Sequence, residues 1–276
     1  MKPFSVTTSV ASAFENINRA PAAPAVGVIA SIGIGVCGGC GTRASGNFAG
    51  AVDPEELAAG GLDPEVLWAL AGVFTTLIVV SLVFQFVMWI ARTWLLAGQL
   101  RVHREVLTGG PGDPKTNFSG GDVFLSMLGA GLLVHAINGV TFLVLGAPSA
   151  PFFWWAYEAY AGWDVQQGHL WSLAGLLVLG IITVPLGTYV WAGVRLVQHA
   201  VALDGLGVME ALEHSWQLAA GNRVRMLNFA VLTWMIEVSG VAICCVGQVY
   251  TQLLAATAWT DAYLRATGKI SDTPAA

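Results

Sequence analysis

Residues 204–247 read DGLGVMEALEHSWQLAAGNRVRMLNFAVLTWMIEVSGVAICCVG: a turn, a short amphipathic helix, a basic step and an apolar run. Val208, Leu212, Trp216 and Ala219 stand at i, i+4, i+8 and i+11, one stripe of a 3.6-residue period, with Glu210, Glu213 and Gln217 off it. Asn222, Arg223 and Arg225 stop the stripe. The run 226–247 then carries a single charge, Glu237. At about 1.5 Å per residue such a helix is about 33 Å long, enough to cross a hydrocarbon layer of about 30 Å. The stretch predicts an interfacial helix followed by a membrane span.

Working outward, 5–19 resembles a first copy of this helix. Val6, Val10, Phe14 and Ile17 repeat the stripe at a constant offset of 202 residues, and each copy precedes an apolar segment that ends in cysteines. Further apolar segments at 22–40, 66–91, 123–145 and 170–194, with 248–264 after the run above, complete an expected six spans. The first is short and rich in glycine. Its residues Gly27, Ser31, Gly35 and Gly39 form a ridge of small side chains suited to close helix contact. The second opens at Asp63-Pro64-Glu65 and has no breaker after Arg92 until Gly98, so its helix is expected to run on beyond the membrane to the loop Gly109–Pro114. Pro185 predicts a kink in the fourth. The last, bearing Gln248, Gln252 and Thr257, is a polar sixth span or a helix lying along the interface. The segment 147–169, with the aromatics Phe152 to Trp163 beside Glu158 and Asp164, suits the headgroup zone better than the hydrocarbon.

Composition agrees. Of 276 residues, 55% are hydrophobic and 11% charged, against about 45–50% and about 25% in ordinary soluble domains. The expected fold is an all-α membrane protein of about six transmembrane helices in a single domain, 1–276, built as pseudo-repeats of an interfacial helix plus two spans. With both termini in the cytoplasm, Arg43 is the one basic residue of 12 left outside, as the bias of basic residues toward the inner face demands. No compact apolar leader is evident among the first 20 residues, where Glu15, Asn16, Asn18 and Arg19 stand.

The string Ala211-Leu212-Glu213-His214-Ser215-Trp216, followed by Asn222-Arg223, resembles a segment of the membrane domain of glycerophosphodiester phosphodiesterases. It is also similar to related uncharacterised six-span bacterial inner-membrane proteins. Asp261-Ala262-Tyr263-Leu264-Arg265 resembles that group's closing pattern. The resemblance implies three repeats of an interfacial helix plus two spans, a bacterial inner-membrane location and no reaction. The phosphodiesterase activity of the fused members resides in a separate soluble barrel, for which this chain has no room.

Three sets of residues are candidate sites. Glu237 and His135 stand about 16 and 18 Å into their spans, at similar depth, with Asn138 on the same helix face as His135. Ionisable groups at mid-membrane are costly and face a partner or a water-filled cavity, so these three form a candidate intramembrane polar site or a structural hydrogen bond. Cys37, Cys40, Cys244 and Cys245 could form a disulfide or thiol site, or serve as small apolar residues; no histidine or carboxylate reinforces a metal site. The Gly27–Gly39 ridge is a packing site. No phosphate-cradling glycine loop, nucleophile elbow, zinc-protease helix or basic nucleic-acid stripe is present, so no cofactor, metal or nucleic acid is expected. The expected partners are the lipid bilayer and other membrane proteins or further copies of the chain. Two functions remain: a non-catalytic membrane scaffold or accessory protein, and a small-molecule or ion transporter using Glu237 and His135. Transporters favour inverted repeats. Here each repeat starts from the same side, which favours the scaffold.

Overall fold

The computed structural model describes residues 5–30, 64–154, 157, 167–242 and 245–270. Among them there is no strand. The helices are α1 (Val6–Arg19), α2 (Pro64–Leu107), α3 (Phe124–Gly146), α4 (Gln167–Val194), α5 (Val197–Asp204), α6 (Val208–Ala220), α7 (Arg223–Ala242) and α8 (Cys245–Ala266). Residues 22–30 are helical as well, and two 3-10 turns, Pro114–Phe118 and Gly120–Asp122, join α2 to α3. Three helical stretches among the described residues are long and apolar enough to cross a membrane: Thr75–Leu107, Phe124–Trp154 and Ala174–Asp204.

Each of these three changes character along its length. In α2, residues 75–87 are exposed apart from the partly covered Ser81, whereas Thr93, Leu95, Ala97, Leu100, Val102, His103 and Val106 are buried. α3 runs the other way: Met127, Ala130 and Gly131 are buried near its start, and Val140, Phe142, Leu143 and Val144 are exposed. α4 exposes Leu177, Val178, Ile181 and Ile182 and buries Ala192 and Val194. The protein thus has an apolar layer of lightly packed helices and a packed layer into which one end of each helix runs. A helix of 44 residues such as α2 is about 66 Å long, and a 30 Å layer takes about 20 of its residues. The remainder is what the packed layer uses, so the helix does continue past Arg92 to Leu107. It stops where the sequence indicates, with Gly109 and Gly112 at φ +89° and +69°, a backbone that side-chain-bearing residues avoid.

α8 lies at the centre of the packed layer. From Thr251 to Ala266 all but Gln252 and Ala256 are buried, and the helix packs against α1, α2 and α7. Helices apolar on one face sit at a surface, and those buried all round need small residues where neighbours crowd them. α8 supplies Ala255, Ala258, Ala262 and Ala266. Trp259 fills the space beside them and meets Phe229 edge-on at 4.7 Å. α8 begins at Cys245, three residues before the expected 248–264, and α7 at Arg223, three before 226. α4 continues through Pro185 as one helix.

The two amphipathic helices form as expected, but the stripe that faces inward differs. α1 buries Ser9, Ala13 and Ile17 and leaves Phe14 exposed. α6 buries Ala211, Ser215, Leu218 and Ala219 and leaves Trp216 partly exposed. Each inward face combines small residues with one large one, Ile17 in α1 and Leu218 in α6, while Phe14 and Trp216 stay at its edge. Ser9, Ala13 and Ile17 are again 202 residues from Ala211, Ser215 and Ala219.

Candidate functional site

The string Ala211–Trp216 belongs to α6, and its side chains clamp the break between α4 and α5. A helix that ends and restarts leaves backbone groups without partners. Here the Ser215 hydroxyl donates to the Gly193 carbonyl at 2.7 Å and accepts from the Leu196 N–H at 3.2 Å, so one buried side chain serves both sides of the break. Trp216 lies flat over Gly193, where a Cβ would come within 2.2 Å of the indole. Tyr189 meets Trp216 edge-on at 6.0 Å, and the Arg223 guanidinium lies 3.2 Å from the Tyr189 ring centre and 4.8 Å from that of Trp216. His214 points the other way, edge-on to Tyr263 of α8 at 6.4 Å.

Tyr263 leads into a buried polar network. Its hydroxyl donates to Asp204 Oδ2 at 2.7 Å, and Lys269 pairs with the other Asp204 oxygen. The ring lies 5.8 Å from that of His199. Along α8, Asp261 Oδ2 accepts from Arg265 Nε at 2.6 Å, and its Oδ1 accepts from Arg265 Nη2 at 3.2 Å and from the Ser12 hydroxyl of α1 at 3.0 Å. Both members are buried, Asp261 completely. On the α2 side Thr257 donates to the Leu253 carbonyl at 2.9 Å, and His103 Nδ1 then supplies the proton for its 2.8 Å bond to the Thr257 hydroxyl. These contacts join α1, α2, α5 and α6 to α8.

Where α5 ends, its last carbonyls point out. Arg104 donates to Leu203 O at 3.2 Å and Arg101 to Ala202 O at 3.5 Å, placing cations at the negative end of a helix. Arg101 also reaches Ser119 O at 2.9 Å and Asp122 at 2.7 Å. Its hydrogen bond holds the Asp122 carboxyl below the usual carboxylate range. A cleft of 420 Å³ lies over these side chains, lined also by Glu105 and Thr108. Its two arginines are spent on capping, and its charges are mixed.

The residues singled out from sequence fall as follows. His135, on α3, is exposed, and its Nδ1–H donates to the Gly131 carbonyl at 2.7 Å. Its ring meets Trp89 edge-on at 6.0 Å. Asn138 is half-buried one turn on. Glu237, on α7, is exposed and lies within electrostatic reach of Arg195 and Arg92. The structure joins His135 and Glu237 by no hydrogen bond or ion pair. Gly27 is held tightly, since a Cβ there would come within 2.3 Å of Asn117 Oδ1 and 2.5 Å of Gln99 Cγ. Its neighbours are the end of α2 and the turn after it. Ser31, Gly35, Gly39, Cys37, Cys40 and Cys244 lie outside the described residues, as does the side chain of Cys245. Among the described residues no group of three or more metal-type ligands comes together.

Residues 57–267 match the family model described as a domain of unknown function, DUF7847. The chain belongs to this family. No curated protein and no solved structure matches it. The DUF7847 region takes in α2 to α8, and with them the Ser215 clamp and the Asp261–Arg265 pair. The residues that sequence reasoning missed are Tyr263, Asp204, His103, His199 and Arg195. Their signal was present as polar residues inside otherwise apolar helical runs.

Proposed function

We propose that the protein is a non-catalytic membrane scaffold or accessory protein. Apolar helices would anchor it, and the packed layer would present a rigid helical platform at the membrane surface. The observation that carries this reading is how the polar network is used. Asp204, Tyr263 and Lys269 are bonded to one another, as are Asp261, Arg265 and Ser12, in two clusters that tie α5 and α1 to α8, and the Ser215 clamp of α6 serves backbone groups. Enzymes and carriers need such groups free and facing a cavity. The finer arrangement belongs to the same proposal: six spans, both termini cytoplasmic and a bacterial inner-membrane location. So do pseudo-repeats, supported by the 202-residue offset of both the apolar and the buried positions of α1 and α6, and kinship with the membrane domain of glycerophosphodiester phosphodiesterases. The competing reading, a transporter using Glu237 and His135, draws on the exposed carboxylate of Glu237 near two arginines.

The test is cross-linking in intact cells, followed by purification in mild detergent. A scaffold should co-elute in fixed ratio with a membrane protein whose abundance or assembly falls when the gene is deleted. Elution alone, with an unchanged membrane proteome on deletion, would contradict the proposal.

A further inference from the structure

We propose that the surface around Arg195 binds a phosphate-bearing anion, supplied by the headgroup of an anionic lipid. Arg195 follows Val194, the last residue of α4, at the level where the exposed apolar layer meets the packed one. Its guanidinium lies 4.9 Å from the centre of the Trp259 ring and 5.5 Å from that of Trp191, between indoles from two helices. Contact with two rings set at 79° to one another holds the cation in place and leaves its N–H donors for hydrogen bonding. Within the described residues none of these donors is used, and the side chain is exposed. By contrast Arg101, Arg104, Arg223 and Arg265 all donate to carbonyls or carboxylates. Arg195 is therefore positioned and unspent.

The surroundings select the ligand. Glu237 lies within electrostatic reach of Arg195 and Arg92, yet neither arginine forms an ion pair among the described residues, so both cations stay available to an anion. A guanidinium fork matches a phosphate oxygen pair. The outer wall on α7 is apolar and exposed, with Val231, Trp234, Met235 and Val238, as suits acyl chains. Tyr189 and Trp216 beside Arg223, and Trp191 beside Arg195, give the mixture of aromatic and basic side chains found at headgroup depth. A soluble phosphate would satisfy the same donors, without contact for that apolar wall.

The full chain in neutral detergent is titrated with phosphatidylglycerol, with phosphatidylcholine and with inorganic phosphate, and bound lipid is counted by native mass spectrometry. The expected result is retention of phosphatidylglycerol about tenfold more tightly than phosphatidylcholine, with that preference lost in Arg195→Gln. Glu237→Gln removes an opposing charge within electrostatic reach of Arg195 and should tighten binding several-fold. That variant decides the matter should Arg195→Gln fail to fold. Inorganic phosphate at millimolar concentration should leave lipid binding unchanged. Equal retention of the two lipids, an unaltered preference in Arg195→Gln or weaker binding in Glu237→Gln would each overturn the proposal. Full displacement by inorganic phosphate would overturn the lipid as the source and leave a soluble anion in its place.

Discussion

Replacing Arg265 with methionine should be among the most damaging changes available in this protein. The side chain is close in length, so the hole is small and packing loss is secondary. What changes is Asp261. Its carboxylate is completely buried and accepts two bonds from Arg265, at 2.6 and 3.2 Å, and one from Ser12 at 3.0 Å. Arg265→Met leaves that carboxylate with a single neutral donor. Removing one member of a buried, hydrogen-bonded ion pair costs about 3–5 kcal/mol, whereas replacing both with apolar residues of similar volume is often close to neutral. The double change Asp261→Leu with Arg265→Met should therefore be less damaging than Arg265→Met alone, a coupling opposite in sign to additivity. Ser12→Ala, which removes one neutral bond to a charged group, should cost about 1.5–3 kcal/mol. The assay is denaturant unfolding in mild detergent, followed by intrinsic tryptophan fluorescence, with Trp259 on the same helix. A cost below about 1 kcal/mol for Arg265→Met would refute the view that α8 is held by this pair; so would a double variant as unstable as the sum of its parts.

Three further outcomes are expected. A Cβ on Gly98 would lie 2.0 Å from the backbone oxygen of Asn117, so Gly98→Ala must displace the turn after α2. It should lower stability by about 1–3 kcal/mol or more in the same unfolding assay, and unchanged stability would mean the contact is absent. Ser215→Ala leaves the Leu196 N–H and the Gly193 carbonyl buried without their partner and should cost about 1–3 kcal/mol, a loss that Ser215→Thr should reverse in part if the hydroxyl is what matters. Reporter fusions after Gly112 and after Gly268 should read cytoplasm and one at Gly60 the outside; a cytoplasmic reading at Gly60 would remove the proposed topology, and an external one at Gly268 would leave five spans.

Much of the helix pattern was legible in the sequence because apolar runs bounded by proline, glycine and arginine leave few alternatives. Pro64 and Leu107 bound α2 where Asp63-Pro64-Glu65 and the glycine–proline loop place them. The packed layer was harder to see. Hydrophobic periodicity reports which residues are large and apolar, and in a membrane protein large apolar side chains face lipid as readily as protein. Phe14 and Trp216 therefore drew the predicted stripe toward themselves, while the inward faces took Ser9, Ala13, Ala211 and Ser215. The candidate polar residues show the same limit. Depth along a span placed Glu237 and His135 at one level but carried no information on which way each helix turned its face. The buried network was visible only as isolated polar letters, because Asp204, Asp261 and His103 meet Tyr263, Ser12 and Thr257 across 59, 249 and 154 positions of sequence.

The scaffold reading is tested most directly by relating function to abundance. Cells lacking the gene are complemented with Glu237→Gln, His135→Leu, Gly98→Ala and Arg265→Met, and growth under the conditions where deletion is felt is plotted against protein in the membrane. A scaffold places all four on one curve, with Glu237→Gln and His135→Leu as active as their abundance allows. Loss of function in Glu237→Gln at normal abundance would contradict the scaffold and point to transport.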